Sequence, residues 1–144
     1  MPHRIIIPDR YERCKPLDDC MHEECGVFGI FCSDGSVEPA EAAYFGLFAL
    51  QHRGQESAGI AVAKPGGIDY HIDYHKDMGL VPEVFRDGSL EKLKGGYAAI
   101  GHVRYSTTGD SLLTNAQPLV ISSKKGQLAL AHNGNLVNAR SLRE

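Results

Sequence analysis

A cysteine at the boundary between a polar leader and an apolar segment is the first residue of this sequence that could carry chemistry. Cys25 lies in the stretch "HEECGVFGIF", after two glutamates and before a glycine and an apolar run. Free cysteine is among the most buried residue types, so Cys25 can be interpreted as a small hydrophobic residue that begins a core strand. It can also be interpreted as a nucleophile that becomes the first residue of a shorter chain, where a thiol and an α-amine stand on one residue.

Three polar clusters further along the chain are also candidates for a site: "QHRGQESAG", "GHVRYSTTG" and "HNGN". Glycine, asparagine, serine and threonine dominate turns, so a single cluster of this kind would be an ordinary turn. Three clusters at predicted strand ends, together with the cysteine, favour a binding site. The side chains able to hold a small polar ligand are those of Arg53, Gln55, Arg104, Thr107 and Asn133.

The elements that must position these residues follow from hydrophobic periodicity. Residues 25–32 are apolar on both faces, which predicts a strand buried between layers. Residues 38–52 carry apolar side chains at helical spacing. Two hairpins are predicted, over residues 58–75 and 118–134. The other predicted elements are helical segments at 81–87 and 89–94, a strand at 97–105 and a helix that begins near residue 136. This order predicts an α+β fold with antiparallel sheets.

The two ends of the sequence carry further predictions. Residues 1–24 are polar and show no sustained period, so we interpret them as a leader outside the core. The last predicted helix stops within its first turns, whereas domains normally end in a loop or a completed element. We therefore expect the sequence to be the front part of a longer chain.

Composition argues against several classes of protein. The 144 residues fit one domain, and a net charge of −3 with a pI near 6.1 gives no electrostatic reason to expect nucleic acid or a membrane surface. No apolar run is long enough for a membrane span or a secretory signal, so a cytoplasmic location is expected. Structural disulfides are rare there, and no paired C-x-x-C spacing indicates zinc, so free thiols are expected at all four cysteines. These are Cys14, Cys20, Cys25 and Cys32.

The motifs resemble those of a known family. In chain order, "CGVFGI", "LQHRGQESAG", "GHVRYSTTG" and "LAHNGNL" resemble the glutaminase domain of the amidophosphoribosyltransferases. Related amidotransferases carry other versions, such as "RGYDSAG" and "GHTRWATHG" in glucosamine-6-phosphate synthase. The resemblance implies an N-terminal-nucleophile hydrolase fold, with stacked antiparallel sheets covered by helices in an αββα order. Residues 25–144 would be the N-terminal part of that domain, and residues 1–24 a propeptide that is removed.

The resemblance also implies how Cys25 would act. Removing residues 1–24 would free its α-amino group. An α-amine ordinarily has a pKa of about 7.7–8.0 and a thiol one of about 8.5, so a single residue can supply both base and nucleophile near neutral pH. The "HNG" motif would supply an oxyanion hole from the side-chain amide of Asn133 and the backbone N–H of Gly134.

The same resemblance assigns substrate-binding residues. Arg104 would clamp the α-carboxylate of glutamine, a role that suits a planar bidentate donor. Tyr105 and Thr107 would be its neighbours in the pocket. Arg53 and Gly54 would form the loop beside the nucleophile.

The implied reaction is hydrolysis of L-glutamine to glutamate and ammonia through a γ-glutamyl thioester. The ammonia would convert phosphoribosyl pyrophosphate, bound by a C-terminal domain outside this sequence, to 5-phosphoribosylamine in the first step of de novo purine synthesis. The alternatives are an inactive fragment of the domain, or an amidotransferase with another acceptor. No metal or cofactor is expected in this segment, whereas Mg²⁺ and a 4Fe–4S cluster are implied for the complete enzyme, which is expected to be a homo-oligomer.

The remaining polar residues are interpreted as structural. His102 and His132 are expected to be hydrogen-bonded scaffold residues at strand ends, and Cys32 a buried strand residue. The segment "DYHIDYH" could bind a metal, but an exposed polar strand face explains it better. That face would carry Asp69, His71, Asp73 and His75.

Overall fold

The computed structural model of the protein describes residues 25–66, 69–105, 112–134, 138 and 141–142. The predicted leader (1–24), Thr107 and most of the predicted helix after residue 135 lie outside the described residues. In chain order the elements are β1 (Gly26–Phe31), α1 (Pro39–Ala49), a 3₁₀ turn (Gln51–Arg53), β2 (Ser57–Gly66), β3 (Asp69–Met78), α2 (Val81–Val84), α3 (Ser89–Leu93), β4 (Ala98–Arg104), a second 3₁₀ turn (Leu113–Asn115), β5 (Leu119–Ser123) and β6 (Gly126–Leu130).

The strands form two antiparallel sheets. The larger sheet has the order β1-β4-β2-β3, and β5 pairs with β6 in the smaller one. Both predicted hairpins are confirmed: β2 pairs with β3 from Ser57–Met78 to Gly66–Asp69, and β5 pairs with β6. The predicted α+β class with antiparallel sheets is therefore confirmed.

Helix α1 begins where its sequence allows it. The Glu38 side chain caps the first turn by accepting from the Ala40 N–H at 3.4 Å, and Pro39 occupies a first-turn position, where its missing N–H costs nothing. Gly46 then lets the helix approach β1, because a Cβ at this position would lie within 2.6 Å of the Phe28 ring carbon Cγ. This close approach fixes α1 against the strand that begins just after Cys25.

The hydrophobic core lies between the helices and one face of the larger sheet. Because side chains alternate along a strand, only every second residue of β2 and β4 contributes to it. All three helices contribute as well, so in the described part of the chain they share one side of the sheet. Its buried members include Ala43, Leu47, Ala58, Ile60, Val62, Val81, Val84, Phe85, Leu93, Ala99 and Val103.

The prediction that β1 is buried on both faces is wrong. Gly26, Phe28 and Ile30 face α1 or the core, but Val27 and Phe31 are 42% and 71% exposed. The reason is that β1 is an edge strand and the helices cover one face only. The prediction for Cys32 is also wrong, since it follows the strand, is half-buried, and its thiol donates to the Asp34 carboxylate at 3.0 Å.

The predicted polar strand face on β3 is only partly exposed. Asp73 forms an ion pair with Lys64 at 2.9 Å and lies 3.7 Å from the ring of His71. His75, by contrast, hydrogen-bonds to the Val84 carbonyl at 2.9 Å and packs its ring edge-on against Phe85. The face therefore belongs to the helix side of the sheet, and α2 covers its far end.

The smaller sheet lies against the other side of the larger one. The Gln127 side chain on β6 accepts from the Ile72 N–H at 2.7 Å, and its carbonyl accepts from the Tyr70 hydroxyl at 2.9 Å. Between the sheets is a cavity of about 240 Å³, lined mostly by alanine and aliphatic side chains from β2, β3, β4 and β6. Over the ranges described, the chain contains no helix long and apolar enough to span a membrane.

Candidate active site

Cys25 stands at the head of β1, beside the end of β4. The antiparallel register pairs Gly26 with Val103, which brings Cys25 next to the residues that follow Val103. The Tyr105 N–H donates to Cys25 Sγ at 3.4 Å, and Sγ lies 3.5 Å from the Tyr105 carbonyl oxygen. The thiol is thus held at the junction of two predicted motifs that are 80 residues apart in sequence.

The carbonyl oxygen of Cys25 receives two side-chain donors. Asn133 Nδ2 donates to it at 2.7 Å and Arg53 Nε at 3.4 Å. Asn133 comes from the loop after β6, and Arg53 from the 3₁₀ turn after α1. Segments from all three polar clusters therefore meet at one residue.

Gly54 allows this meeting because it packs directly on the β4 backbone. Its φ of −156° is ordinary extended backbone, so the need for glycine is one of space. A Cβ would lie 2.6 Å from the Val103 carbonyl carbon and 2.7 Å from the Arg104 nitrogen. Gln51 closes the turn, since its Nε2 donates to the Gly54 carbonyl at 2.5 Å.

Arg104 is buried, and its guanidinium pairs with Glu56. Nη1 lies 2.8 Å from Glu56 Oε1, and the Glu56 N–H donates to the Arg104 carbonyl at 3.0 Å. Oε2 of Glu56 is buried and has no hydrogen-bond partner among the described residues. A buried ion pair of this kind holds the guanidinium in one orientation, which a bidentate carboxylate clamp requires. The carboxylate-binding role of Arg104 stays a prediction.

The segment that carries Asn133 is held through the backbone of His132. The His132 N–H donates to Gln117 Oε1 at 2.8 Å, and its carbonyl accepts from His102 Nε2 at 3.1 Å. Gly134 follows with φ of 150°, a backbone conformation that side chains disfavour. His102 is thus a hydrogen-bonded scaffold residue as predicted, whereas His132 contributes its backbone and leaves its side chain exposed.

Burial decides the protonation of His102. Desolvation of the charged form lowers the pKa of His102 from 6.5 to about 4, a shift that the neighbouring Arg104 charge reinforces. The ring is therefore neutral near pH 7. Because its Nε2 must donate to a carbonyl, the proton sits on Nε2, and the buried Nδ1 has no partner among the described residues.

The structure thus brings together Cys25, Arg53, Gly54, Arg104, Tyr105, Asn133 and Gly134, whereas Thr107 lies outside the described residues. Gln55 is exposed. Three contributors were missed by the sequence reasoning: Glu56, Gln117 and Lys76. The Lys76 ammonium donates to the Ala116 and Pro118 carbonyls, at 2.6 and 3.2 Å, and burial lowers its pKa. A buried arginine needs a counter-charge, so the acid in "HRGQES" was the one signal available for Glu56.

Chemically, the arrangement can hold a nucleophile next to hydrogen-bond donors. An asparagine amide has two N–H groups, and the contact with the Cys25 carbonyl uses one of them. The other can be offered to an oxygen beside the thiol. Among the residues described, no group of three or more His, Cys, Asp or Glu side chains is placed to hold a metal ion.

Two antiparallel sheets with helices on an outer face, and a cysteine at the head of the first strand, define the N-terminal-nucleophile type of α+β fold. Comparison with known proteins makes the match particular. The chain is 56% identical over 126 residues to the amidophosphoribosyltransferase of Synechocystis and 58% identical over 119 residues to that of Archaeoglobus fulgidus. These matches cover 88% and 83% of the chain but 24% of each relative. No family model matches the chain.

Solved structures give the same result. One described as the allosteric regulatory enzyme of purine biosynthesis superposes with a TM-score of 0.69 at 48% identity, over 81% of this chain and 24% of that one. The glutamine phosphoribosylpyrophosphate amidotransferase of Bacillus subtilis gives 0.67 at the same identity, over 81% of this chain and 23% of its own. The family resemblance is therefore confirmed: the chain is similar to the N-terminal part of amidophosphoribosyltransferases and spans about a quarter of their length.

Proposed function

We propose that this chain is the glutamine-hydrolysing part of an amidophosphoribosyltransferase, with Cys25 as an N-terminal nucleophile. One observation carries the proposal. Donors from two distant segments, Arg53 and Asn133, converge on the Cys25 carbonyl, while the Tyr105 N–H contacts its sulfur. A core cysteine at the start of a strand would need none of these contacts.

The chemistry follows from the groups present. Once the chain begins at Cys25, its sulfur attacks the side-chain carbonyl carbon of glutamine and its α-amine takes the thiol proton. The carbonyl electron pair moves to oxygen, and the Asn133 amide with the Gly134 N–H stabilises the oxyanion. When the carbonyl re-forms, the C–N bond breaks and the α-ammonium returns its proton to the leaving ammonia. Water then attacks the thioester and releases glutamate and the free thiol.

The α-amine is the proposed base because no histidine ring of the described residues forms a hydrogen bond with the thiol, whose partners are the backbone groups of Tyr105. His102, the ring closest in sequence to Tyr105, donates to the His132 carbonyl and is neutral at pH 7. In the chain as written, the Cys25 nitrogen is a peptide amide, which cannot accept a proton. Loss of residues 1–24 is therefore part of the proposed mechanism.

The whole protein would pass its ammonia to phosphoribosyl pyrophosphate, as the names of its relatives indicate. L-Glutamine would bind at Arg104 and Tyr105, with Thr107 alongside. The Mg²⁺ and the 4Fe–4S cluster are expectations for the complete enzyme only, and no step proposed for this chain uses them. A homo-oligomer in the cytoplasm remains the expectation for the complete enzyme.

The test compares the two described cysteines, which are both free and half-buried. In the full-length enzyme, Cys25→Ser should abolish glutamine hydrolysis and leave synthesis from free ammonia intact. Cys32→Ser, the matched control, should change neither activity. N-terminal sequencing of the active wild-type enzyme should read Cys-Gly-Val-Phe. Equal effects of the two substitutions, or full activity in a chain that still begins at Met1, would refute the proposal.

A further inference from the structure

The segment that carries the proposed oxyanion hole lies beyond the end of β6 and has no strand partner of its own. Asn133 and Gly134 are exposed, three and four residues after Leu130. Even so, Asn133 Nδ2 lies 2.7 Å from the Cys25 carbonyl. Catalytic donors act only when they are held close to the productive geometry, so something must fix this segment.

The fixed point is the peptide backbone of His132. Its N–H and its C=O, the two polar groups of one residue, are both bound by buried side chains, those of Gln117 and His102. Gln117 is 8% exposed and His102 is fully buried, so the surrounding core holds both side chains in place, whereas His132 itself is exposed. We call these two side chains the His132 clamp.

Both members of the clamp are anchored in the larger sheet. His102 lies in β4, the strand flanked by β1 and β2, where it pairs with Gly59 and Val27. Gln117 is held by its neighbours, because Lys76 of β3 donates to the carbonyls on either side of it. Gly59 leaves room for this segment, since a Cβ there would collide with the Gln117 carbonyl oxygen and lie 3.0 Å from Pro118 Cδ.

We infer that Gln117 and His102 are positioning residues for the glutaminase reaction: they fix the His132 peptide and thereby hold Asn133 and Gly134 beside Cys25. The inference rests on the proposed function of this site. Both side chains bind the backbone of His132 rather than Cys25, so they act through the residue that precedes Asn133. The side chain of His132 is not needed, because both contacts use its main chain.

The test uses paired substitutions in the full-length, processed enzyme. Gln117→Leu removes the acceptor, whereas Gln117→Glu keeps one. His102→Leu removes the donor, whereas His102→Gln keeps one at a similar reach. The control is Gln127→Leu, which also removes a glutamine acceptor from a backbone N–H at 2.7 Å, but near the start of β6, at the opposite end of the strand from Asn133.

The leucine variants at 117 and 102 should lower the glutaminase kcat about ten- to hundredfold, with the KM for glutamine within about threefold, because an oxyanion contact strengthens only in the transition state. The Glu and Gln variants should recover most of kcat, and Gln127→Leu should retain it. A second readout is alkylation of Cys25. A chloromethyl ketone analogue of glutamine, which develops an oxyanion, should react more slowly in the leucine variants, whereas iodoacetamide should react at the wild-type rate.

Denaturant unfolding, followed by a probe within this domain, reports whether each variant is folded, because synthesis from free ammonia depends on the C-terminal domain. A wild-type kcat in both leucine variants, or an equal loss in Gln127→Leu, would overturn the inference while leaving the proposed function intact. Equal slowing of both alkylating reagents would also overturn it, because the thiol itself would then be displaced. A wild-type enzyme that begins at Cys25 but lacks glutaminase activity would instead contradict the proposed function.

Discussion

The two N–H groups of the Asn133 amide have different roles beside Cys25. One of its N–H groups donates to the Cys25 carbonyl at 2.7 Å, which places the amide next to the nucleophile before any substrate is bound. This contact fixes the direction of the second N–H, together with the His132 backbone that Gln117 and His102 hold in place. A donor fixed in advance costs no reorganisation when charge develops, and this preorganisation is where most electrostatic catalysis arises.

Asn133→Asp should therefore lower the glutaminase kcat about 10²–10³-fold or more with little change in KM. The substitution keeps size and turn propensity, but an oxygen lone pair would face both the Cys25 carbonyl and the developing oxyanion. Steady-state kinetics of the processed, full-length enzyme measures the effect. The control is His132→Ala, since the His132 side chain is exposed and its contacts are made by the backbone. A wild-type kcat in Asn133→Asp would rule out the assigned role.

Residues with chemically distinctive types were predictable from the sequence, and their supporting residues were not. Cys25, Arg53, Arg104 and Asn133 stand in motifs that combine reactive or charged groups with glycine. A glutamine that acts through one long-range contact carries no local signal, and for Glu56 the one signal was its place within "HRGQES". Gln117 meets His132 across 15 residues, and the Glu56 carboxylate meets Arg104 across 48. Only the fold decides which surface-type side chain becomes buried and paired.

At the scale of elements, the junction between α1 and β2 sets the distance from Arg53 to Cys25. The chain leaves α1, makes one 3₁₀ turn and then lies flat on the backbone of β4 at Gly54. Strand β4 cannot move away, because it is hydrogen-bonded to β1 on one side and to β2 on the other. Any side chain at position 54 must therefore displace the loop rather than the strand.

Gly54→Ala should push this loop off β4, destabilise the fold by about 1–3 kcal/mol and lower glutaminase activity by moving Arg53 away from Cys25. Denaturant unfolding and glutaminase kinetics of the full-length enzyme measure the two effects. Gly29→Ala is the control, because a Cβ at this exposed position of β1 would lie 4.0 Å from the nearest atom, in Ile100. Equal stability and activity in the two variants would show that the close approach at Gly54 is not rigid.

Element type and order were predictable because the periods are strong. Helix α1, both hairpins and β4 lie within a few residues of the predicted bounds, as expected where apolar spacing and turn residues agree. The burial of β1 was not predictable from its own residues. Apolar residues on both faces of a strand predict that it is buried. In the part of the chain described, however, Val27 and Phe31 are exposed, because burial depends on which layers cover the sheet.

At the scale of the whole molecule, the site forms where the ends of several strands coincide. The site lies at one end of the two-sheet assembly. This end contains the start of β1, the end of β4, the start of β2 and the loop after β6. No single element contains the site, so its geometry depends on how the smaller sheet lies against the larger. His102 links the two directly, because it belongs to β4 and binds the loop after β6.

This link should make the assembly sensitive to acid. The pKa of His102 is lowered from 6.5 to about 4 in the folded protein, mainly by burial, so the unfolded chain binds the extra proton first as the pH falls. The contribution of the neutral His102 ring to stability is complete above about pH 6.5 and is lost progressively as the pH falls towards 4. A pKa shift of this size corresponds to about 3 kcal/mol in the free energy of unfolding. The pKa of Asp34 is lowered to about 2, mainly by the hydrogen bond from the Cys32 thiol. Protonation of Asp34 therefore affects stability only below the pH range in which His102 titrates.

Replacing His102 by a residue that keeps the donor but does not titrate should remove this part of the acid sensitivity. We expect His102→Gln in the full-length enzyme to lose less stability than the wild type between pH 7 and about pH 4.5, because its amide can still donate to the His132 carbonyl and takes up no proton. Denaturant unfolding at a series of pH values, followed by a probe within this domain, measures the difference. Parallel pH profiles for the two proteins would mean that His102 does not couple protonation to the joining of the two sheets.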